Sequence, residues 1–311
     1  MIKAQGKIFT STYEVERIII DSDFDGVMCG AMLRIVFPDI EIIQSRASEI
    51  QEGQIDHLIT KKTLMADLRY SPLCGYFFDH HESNQPEEDF VGAWIPLESA
   101  AQVIYSYFED IGNFSNFASL MDDINKFDSG NISIEDFKNP NDLYKLALII
   151  NRDDKYFNLW LVELLARMPL AQVCRHPYVK ERIDNYFALR ESMSKYVKEN
   201  SQMIENTVFV DLSNYRLKEK LTSYVYTAEF PGSRVIVVTK TPDKSGWRKV
   251  RLYRNNFFYP DHNLDLLNVA LKMNPRTAGG HKGACGFSLK EALDKQKLAR
   301  LIQEELASGT K

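Results

Sequence analysis

The sequence predicts an α/β protein: an N-terminal domain with a doubly wound, mostly parallel sheet, a linker helix, and a smaller α/β C-terminal domain. Short apolar runs alternate with segments of helical periodicity over residues 17–80, three of these runs end in aspartate, and strand-like runs return after residue 206. The chain of 311 residues is long enough for two domains. We expect the first domain to span residues 1–185, the linker helix 186–205 and the second domain 206–311.

The composition limits the classes of protein to consider. With 44% hydrophobic and 26% charged residues, the chain is typical of a soluble globular protein rather than a disordered one. No apolar run reaches the ~20 residues of a membrane helix, and the N-terminus lacks the apolar core of a signal peptide. We therefore expect a cytoplasmic protein without a membrane partner, and the sequence leaves a homodimer open.

The cysteines and the net charge exclude two further classes. The four cysteines are widely spaced and form no CxxC pair, which fits a reducing compartment and argues against a disulfide framework or a zinc–thiolate site. They are Cys29, Cys74, Cys174 and Cys285. The formal charge of −5 argues against sequence-independent binding of duplex DNA.

The first apolar run, residues 17–20, leads into the stretch DSDFDG, in which Asp21, Asp23 and Asp25 occupy alternate positions. An EF-hand calcium loop begins similarly, but Met32 stands where its closing glutamate is required, and a strand rather than a helix precedes it. The simplest alternative is a polar turn that caps the next helix. Carboxylates crowded this closely repel one another, and because a cation relieves that repulsion, we favour a metal site.

Two further aspartates are predicted to join this cluster. A helix is predicted over residues 26–37 before Pro38, a second strand over 40–43, and then the runs TLMAD and GYFFD end at Asp67 and Asp79. In a doubly wound sheet, ligands bind beyond the carboxyl ends of the strands. Asp21, Asp67 and Asp79 should therefore lie at one edge of the sheet and form a site.

Adjacent histidines, His80 and His81, follow Asp79 directly. A solvated turn is the alternative for such a pair, but imidazoles beside several carboxylates suit Mn²⁺ or a related divalent ion, Mg²⁺ or Co²⁺ included. The carboxylates exceed what one ion needs, so we expect two cations, an arrangement used for phosphoryl chemistry. Asp79 would orient an imidazole by accepting its second N–H.

DSDFDG, the strand-end aspartate of MADL, and DHH itself resemble the first three motifs of the DHH phosphoesterase superfamily. The resemblance implies that Asp21 and Asp23 ligate one ion, that Asp25 and His80 ligate the other, and that Asp67 bridges the two. Many members have histidine at the position of Asp21. Aspartate there makes the site more anionic and leaves the preferred ion open.

The resemblance also implies catalytic roles for three residues and a fourth metal-binding motif. His81 would face the scissile phosphate, beside Asp67 and the orienting Asp79. The fourth motif supplies one aspartate from SLMDDINKFDSGNIS, and we favour Asp128, because FDSGNI resembles the Asp-Ser/Thr turn of that motif. Asp122 and Asp123 are the alternatives, expected instead on an exposed helix face.

In the second domain, strand-like runs TVFVDL, SYVYTAEF, SRVIVVTK and RKVRLYR precede the glycine-rich stretch TAGGHKGACGF. Basic residues near an edge strand are often only a solvated guard against aggregation. Glycines, however, let a backbone approach an anion closely. The stretch resembles the Gly-Gly-His loop of the DHH-associated domain, which implies substrate binding by Gly279, Gly280 and His281, with Arg251 or Arg254 holding a phosphate.

The resemblance implies a two-metal phosphoesterase that hydrolyses P–O bonds, and the sequence leaves its substrate open. The absence of a long basic groove with interleaved aromatics favours short oligoribonucleotides, 3′-phosphoadenosine 5′-phosphate or a linear dinucleotide over long single strands. An exopolyphosphatase- or pyrophosphatase-like activity on inorganic phosphate chains is the first alternative. A metal-binding nucleotide sensor without turnover is the second, supported only by Asp21 in place of histidine.

Overall fold

A computed structural model of the chain describes residues 14–215, 221–260 and 263–308. It divides into two compact units: residues up to Ile132 together with Asn139–Asp184 form the first, and Ser133–Lys138 together with the residues from Asn185 onward form the second. The boundary falls inside a helix of 23 residues, Pro177–Glu199, which includes most of the predicted linker helix.

Unit 1 is built on a five-stranded sheet in which every pair of neighbouring strands is parallel. In chain order its strands are β1 (Arg17–Asp21), β2 (Glu41–Ser45), β3 (Thr63–Ala66), β4 (Tyr76–Asp79) and β5 (Val91–Trp94). They lie in the order β2-β1-β3-β4-β5. The predicted doubly wound parallel sheet is confirmed.

Helices lie between and after these strands in the chain. In chain order they are α1 (Phe24–Val36), α2 (Ala47–Gln51), α3 (Ala100–Phe108), α4 (Met121–Asp128), α5 (Ile134–Lys138), α6 (Asp142–Ile149), α7 (Lys155–Arg167), α8 (Leu170–Arg175) and α9 (Pro177–Glu199). Of these, α5 belongs to unit 2 and α9 crosses the boundary. Helix α1 packs against both α3 and α7, and its first ten residues are buried.

The first strand and helix meet at a tight turn. Ile18, Ile19 and Ile20 are fully buried in β1, as expected for a central parallel strand. Helix α1 begins after Asp23, whose carboxylate accepts a hydrogen bond from the Gly26 amide at 3.1 Å, so the capping alternative considered for this stretch also holds. A Cβ atom at Gly26 would lie 2.2 Å from the backbone oxygen of Asp21, so only glycine fits there.

Unit 2 contains a mixed six-stranded sheet with neighbours in the order β10-β11-β9-β8-β7-β6. The strands are β6 (Ser201–Ile204), β7 (Thr207–Leu212), β8 (Val235–Lys240), β9 (Arg248–Arg254), β10 (Gly279–Gly280) and β11 (Ala284–Leu289). The β7–β8 pair is parallel and the other pairs are antiparallel. Three further helices, α10 (Tyr224–Thr227), α11 (Leu266–Met273) and α12 (Lys295–Ser308), complete the unit, and α11 and α12 share a core with the sheet.

One predicted strand is wrong. The run SYVYTAEF contains the short helix α10, and its residues are buried in succession rather than alternately. The hydroxyl of Thr227 donates to the backbone oxygens of Ser223 and Tyr224, one turn earlier. Local hydrogen bonding and contiguous burial outweigh the β-branched and aromatic composition that suggested a strand.

The described residues bear on the expectations about membrane helices and about disulfides. None of their helices is long and apolar enough to cross a membrane. All four cysteines are buried and free, so no disulfide framework is present.

Replacing Gly26 with alanine should lower the free energy of unfolding by about 1–3 kcal/mol, because the added methyl group must displace the backbone of Asp21. Thermal unfolding followed by circular dichroism measures the change. Gly232→Ala is the matched control, since nothing lies within 4 Å of a Cβ atom there. Equal melting temperatures for the two variants would refute the close approach at Gly26.

Candidate metal centre

The strand ends bring acids and a histidine of unit 1 together. Strand β1 ends at Asp21, Asp67 follows β3, and Asp79 ends β4 immediately before His80. Because β1, β3 and β4 are parallel neighbours, their carboxyl ends meet at one edge of the sheet. The Nε2 atom of His80 lies 3.9 Å from a carboxylate oxygen of Asp25 and 3.9 Å from one of Asp67.

Three groups of ligand atoms lie close enough to hold a cation, each with all its atoms within 4.8 Å of one another. The groups are Asp21, Asp23 and Asp67; Asp25, His80 and Asp128; and Asp67, Asp79, His80 and His81. The first two groups share no residue and divide the acids as the resemblance implied, with Asp67 completing the first. The arrangement has donors for two cations, and the assignment of each ligand stays a prediction.

Two buried atoms of the cluster have no hydrogen-bond partner among the described residues: Nε2 of His80 and Oδ2 of Asp67. An unsatisfied buried polar atom normally costs free energy, so each such atom calls for an explanation. Carboxylate oxygens and an imidazole nitrogen are ligands of Mn²⁺ and related divalent ions. The donor set and its two unpartnered atoms therefore fit a bound divalent cation.

The histidines are oriented by different partners. Nδ1 of His80 lies 3.0 Å from the backbone oxygen of Leu97, so Nδ1–H donates to that oxygen and Nε2 is left as an acceptor toward the acids. Nδ1 of His81 lies 2.9 Å from Asp79, whose other carboxylate oxygen accepts from Asn84 at 2.8 Å. Burial, then the neighbouring His81, lowers the pKa of His80, whereas the hydrogen bond to Asp79 raises the pKa of His81. His80 thus suits a neutral ligand and His81 a proton-bearing group.

Asp25 is fixed by the start of helix α3. Its two carboxylate oxygens accept hydrogen bonds from the backbone amides of Ala100, at 2.6 Å, and Ala101, at 3.0 Å. The side chain is fully buried, and the positive end of the helix dipole stabilises its charge. Each oxygen keeps a second lone pair, so Asp25 is still able to ligate a cation.

Asp67 adopts an uncommon backbone conformation, with φ of 57°. This left-handed region is sparsely populated by residues other than glycine, although aspartate and asparagine enter it more readily than most. Its amide donates to the backbone oxygen of Phe78 at 3.0 Å, which holds the turn against β4. Such strain is concentrated at functional sites, and here it places the carboxylate over the edge of the sheet.

The structure separates the three candidates for the fourth motif. Asp128, at the end of α4, lies 3.4 Å from Nε2 of His80. Asp123 instead accepts hydrogen bonds at 2.8 Å from the amide of Asn141 and the hydroxyl of Tyr144, and Asp122 is exposed. Only Asp128 of the three reaches the cluster.

Arg152 was not found by sequence reasoning. It lies in the loop between α6 and α7, and its guanidinium contacts Asp23 and lies 3.8 Å from a carboxylate oxygen of Asp21. Arg152 lies in a polar loop after an apolar helix, and nothing in the local sequence indicates that its charge faces Asp21 and Asp23. Only the packing of α7 against α1 shows it.

The glycine-rich stretch of unit 2 forms the hairpin between β10 and β11. The amide of His281 donates to the oxygen of Ala284 at 2.9 Å, and His281 itself is exposed, as are Gly279 and Gly280 of β10. Arg251 on β9 lies opposite Gly286 on β11.

Both predicted arginines lie beside this hairpin. A Cβ atom at Gly286 would lie 2.9 Å from the Cδ atom of Arg251, so a glycine lets the arginine cross the strand. The amide of Arg254 donates to the oxygen of Gly283 at 2.8 Å. Unit 2 thus brings together the two arginines and the loop that the sequence singled out, and their substrate role stays a prediction.

Burial makes the acids of unit 1 hard to ionise without a cation. Burial, then the charge of Asp23, raises the pKa of Asp21 to about 6 and that of Asp25 to about 7. Burial, then Asp25 and Asp23, raises the pKa of Asp128 to about 9, and burial also raises the pKa of Asp67 well above its ordinary value. The metal-free cluster therefore keeps several protons at neutral pH.

The metal-free protein should lose stability as the pH rises from about 5 to 9. Raised carboxyl pKa values mean that the folded chain holds protons that the unfolded chain has already released, so the stability present below pH ~4 is lost as these groups ionise. The melting temperature of chelator-treated protein should fall over this range, and the increase caused by Mn²⁺ should grow. Asp128→Asn should flatten the fall. A metal-free melting temperature that rises with pH would contradict these raised pKa values.

No protein-family model and no curated protein matches the sequence. Solved structures do match. The pGpG-specific phosphodiesterase PggH from Vibrio cholerae is 18% identical, with 94% of this chain and 99% of that chain covered and a TM-score of 0.77. A DHH domain described as belonging to a family of ribosomal proteins is 14% identical, with 94% of this chain and 87% of that chain covered and a TM-score of 0.57.

RecJ from Thermus thermophilus, solved in complex with Mn²⁺, is 12% identical, with 94% of this chain covered and a TM-score of 0.51. The chain spans 52% of that RecJ. At these identities the likeness concerns the fold, and the fold is the one that the motifs predicted. The chain shares its α/β fold with these structures, a DHH domain among them, as the resemblance to the DHH phosphoesterase superfamily implied.

Proposed function

We propose that the protein is a metal-dependent phosphoesterase that hydrolyses P–O bonds in short oligonucleotides or small phosphorylated nucleotides. One observation carries the proposal: acids and a histidine from well-separated stretches of unit 1 converge, and Nε2 of His80 and Oδ2 of Asp67 lie among them without a partner in the described part of the chain. The described residues offer no cysteine nucleophile there, because the only cysteine near these acids, Cys29, is fully buried with a pKa raised by burial.

Asp21, Asp23 and Asp67 would hold one divalent cation, and Asp25, His80 and Asp128 the other. When bound, such cations supply Lewis-acid charge, which acidifies water and neutralises charge on a transferring phosphoryl group. Asp67 belongs to the first group, and its Oδ1 atom also lies 3.9 Å from Nε2 of His80, which fits a bridging role.

Among the residues that the structure describes, we assign contact with the reacting phosphate to His81. Its side chain is 48% exposed, whereas His80 is 12% exposed. Asp79 holds Nδ1 of His81 and raises its pKa, so its Nε2 is able to donate a hydrogen bond or a proton to a phosphate or leaving-group oxygen. We assign Asp79 the role of orienting His81.

Linear dinucleotides are the first substrate class to test. The pGpG-specific phosphodiesterase PggH has a similar fold over nearly its whole length, which supports a substrate of that size without identifying the base. In unit 2 the exposed hairpin and Arg251 offer backbone amides and a guanidinium suited to a terminal phosphate. Polyphosphate hydrolysis and a sensor without turnover are tested by the same panel.

Asp67→Asn should reduce turnover of the preferred substrate by roughly a thousandfold, because it removes a charge that both cations share. Asparagine tolerates positive φ, so folding should persist. The assay measures products released by the Mn²⁺-loaded protein from pGpG, a short oligoribonucleotide, 3′-phosphoadenosine 5′-phosphate and polyphosphate. The exposed Asp122→Asn is the matched control.

The outcomes of this panel separate the proposals. Nucleotide cleavage that Asp67→Asn abolishes supports the phosphoesterase. Cleavage of polyphosphate alone would favour the inorganic substrate, binding without cleavage of any compound would favour the sensor, and full activity of Asp67→Asn would sink the two-metal scheme.

Replacing Arg251 with glutamine, or His281 with asparagine, should raise KM for the preferred substrate about tenfold or more and change kcat less, because a charged hydrogen bond contributes about 1.5–3 kcal/mol. Steady-state kinetics measure both constants. Arg300→Gln, an exposed arginine of helix α12, is the control. Unchanged KM and kcat in both variants would remove the hairpin of unit 2 from the substrate site.

A further inference from the structure

The guanidinium of Arg152 lies against the metal centre rather than in open solvent. Its Nη2 atom contacts Oδ2 of Asp23 and lies 3.8 Å from Oδ2 of Asp21. Among the described residues, Arg152 is the one lysine or arginine within 4.0 Å of the carboxylates of Asp21, Asp23, Asp25, Asp67 and Asp128. The proposed cation ligands therefore include two carboxylates that already carry a positive partner.

The backbone that carries Arg152 is fixed at both sides. Asn158, fully buried in helix α7, donates from Nδ2 to the oxygen of Ser22 at 3.1 Å and to the oxygen of Asn151 at 3.0 Å. Arg46 donates from Nη2 to the oxygen of Arg152 at 2.7 Å and to the carboxylate of Asp153 at 2.6 Å. Through Asn158, these bonds connect the loop of Arg152 to the DSDFDG turn. They hold the guanidinium of Arg152 beside the acids.

The charges of the centre require a further cation before an anion is able to bind. The five carboxylates carry a charge of −5 when ionised, Asp79 and a protonated His81 offset each other, and two divalent cations would supply +4, which leaves −1. A phosphoester brings at least one more negative charge and would be repelled. Arg152 brings the sum to zero. Its side chain is 53% exposed, so a solute is able to reach it, and its planar fork matches the oxygens of a phosphate.

We propose that Arg152 has two partners in turn: it neutralises Asp21 and Asp23 while the metal is absent, and it binds a phosphate oxygen of the substrate once cations have taken those carboxylates. The second half rests on the proposed phosphoesterase function, since it assumes an anionic phosphorus substrate. Arg152 is then both a competitor of the metal and a partner of the substrate.

These two roles predict opposite effects of one substitution. Arg152→Gln removes the competing charge and its repulsion of the cations, so Mn²⁺ should bind about twofold to fivefold more tightly, as expected for a half-exposed ion pair. The same variant lacks the charged donor to phosphate, so inorganic phosphate should bind the Mn²⁺-loaded protein about tenfold or more weakly. A residue that only supports the loop would weaken both.

Isothermal titration of Mn²⁺ into chelator-treated protein, and of inorganic phosphate into Mn²⁺-loaded protein, measures both effects. The proteins are the unsubstituted chain, Arg152→Gln, Arg152→Lys and Arg167→Gln. Arg167 is a surface arginine, 72% exposed and paired with Glu163, and its substitution should change neither affinity. Arg152→Lys keeps the charge without the fork, so it should bind Mn²⁺ as the unsubstituted protein does and phosphate with intermediate affinity.

Tighter Mn²⁺ binding together with weaker phosphate binding by Arg152→Gln supports the proposal. Unchanged phosphate binding overturns it, and so does weaker binding of both. If the circular dichroism of Arg152→Gln shows that this variant does not fold, Arg152→Lys replaces it in the test. Equal phosphate affinities of Arg152→Lys and the unsubstituted protein would then overturn the proposal. The proposed function fails separately, through absence of phosphoester turnover by the unsubstituted protein, and neither binding measurement depends on turnover.

Discussion

The mutual repulsion of carboxylates buried at one edge of a sheet is the constraint on which the rest of unit 1 depends. Asp25, Asp67 and Asp79 are at most 3% exposed, and no arrangement of like charges in so small a volume is stable without positive partners. The protein provides several: the amides at the start of helix α3, the imidazole of His81, the guanidinium of Arg152, and protons on the acids themselves. A divalent cation would replace the protons, and this exchange would link folding to metal binding.

The parallel sheet makes this concentration of charge achievable. Its neighbouring strands all end at the same edge, so residues separated by dozens of positions in the chain arrive together without a long loop to hold them. The apolar strands offset the cost of the buried charges, because β1, β3 and β4 are almost wholly buried and form a rigid base for their polar ends. The candidate ligands lie at or directly after strand ends, at the start of α1 and at the end of α4, so the packed elements fix their positions.

The sequence predicts much of this centre, for a physical reason. Asp21, Asp67 and Asp79 follow short apolar runs, and topology alone then places them together. Arg152 has no such signal, because its position follows from the packing of α7 on α1 and from the side chain of Asn158. The helix α10 was not predicted for a related reason. Its residues have the composition of a strand, and only the tertiary surroundings show that successive residues are buried. Arg152 also places a positive charge 3.8 Å from Asp21, the position where the motif resemblance led us to expect histidine in many members of the superfamily.

The attachment of Asp25 to helix α3 has a consequence for how the centre survives without metal. A cation or a proton at this site would exchange with chelator or pH, whereas the two amides that bind Asp25, those of Ala100 and Ala101, belong to the backbone of helix α3. Asp25 would therefore keep its orientation if a bound cation were lost. Rebinding of a cation would then find this carboxylate already oriented by the start of helix α3.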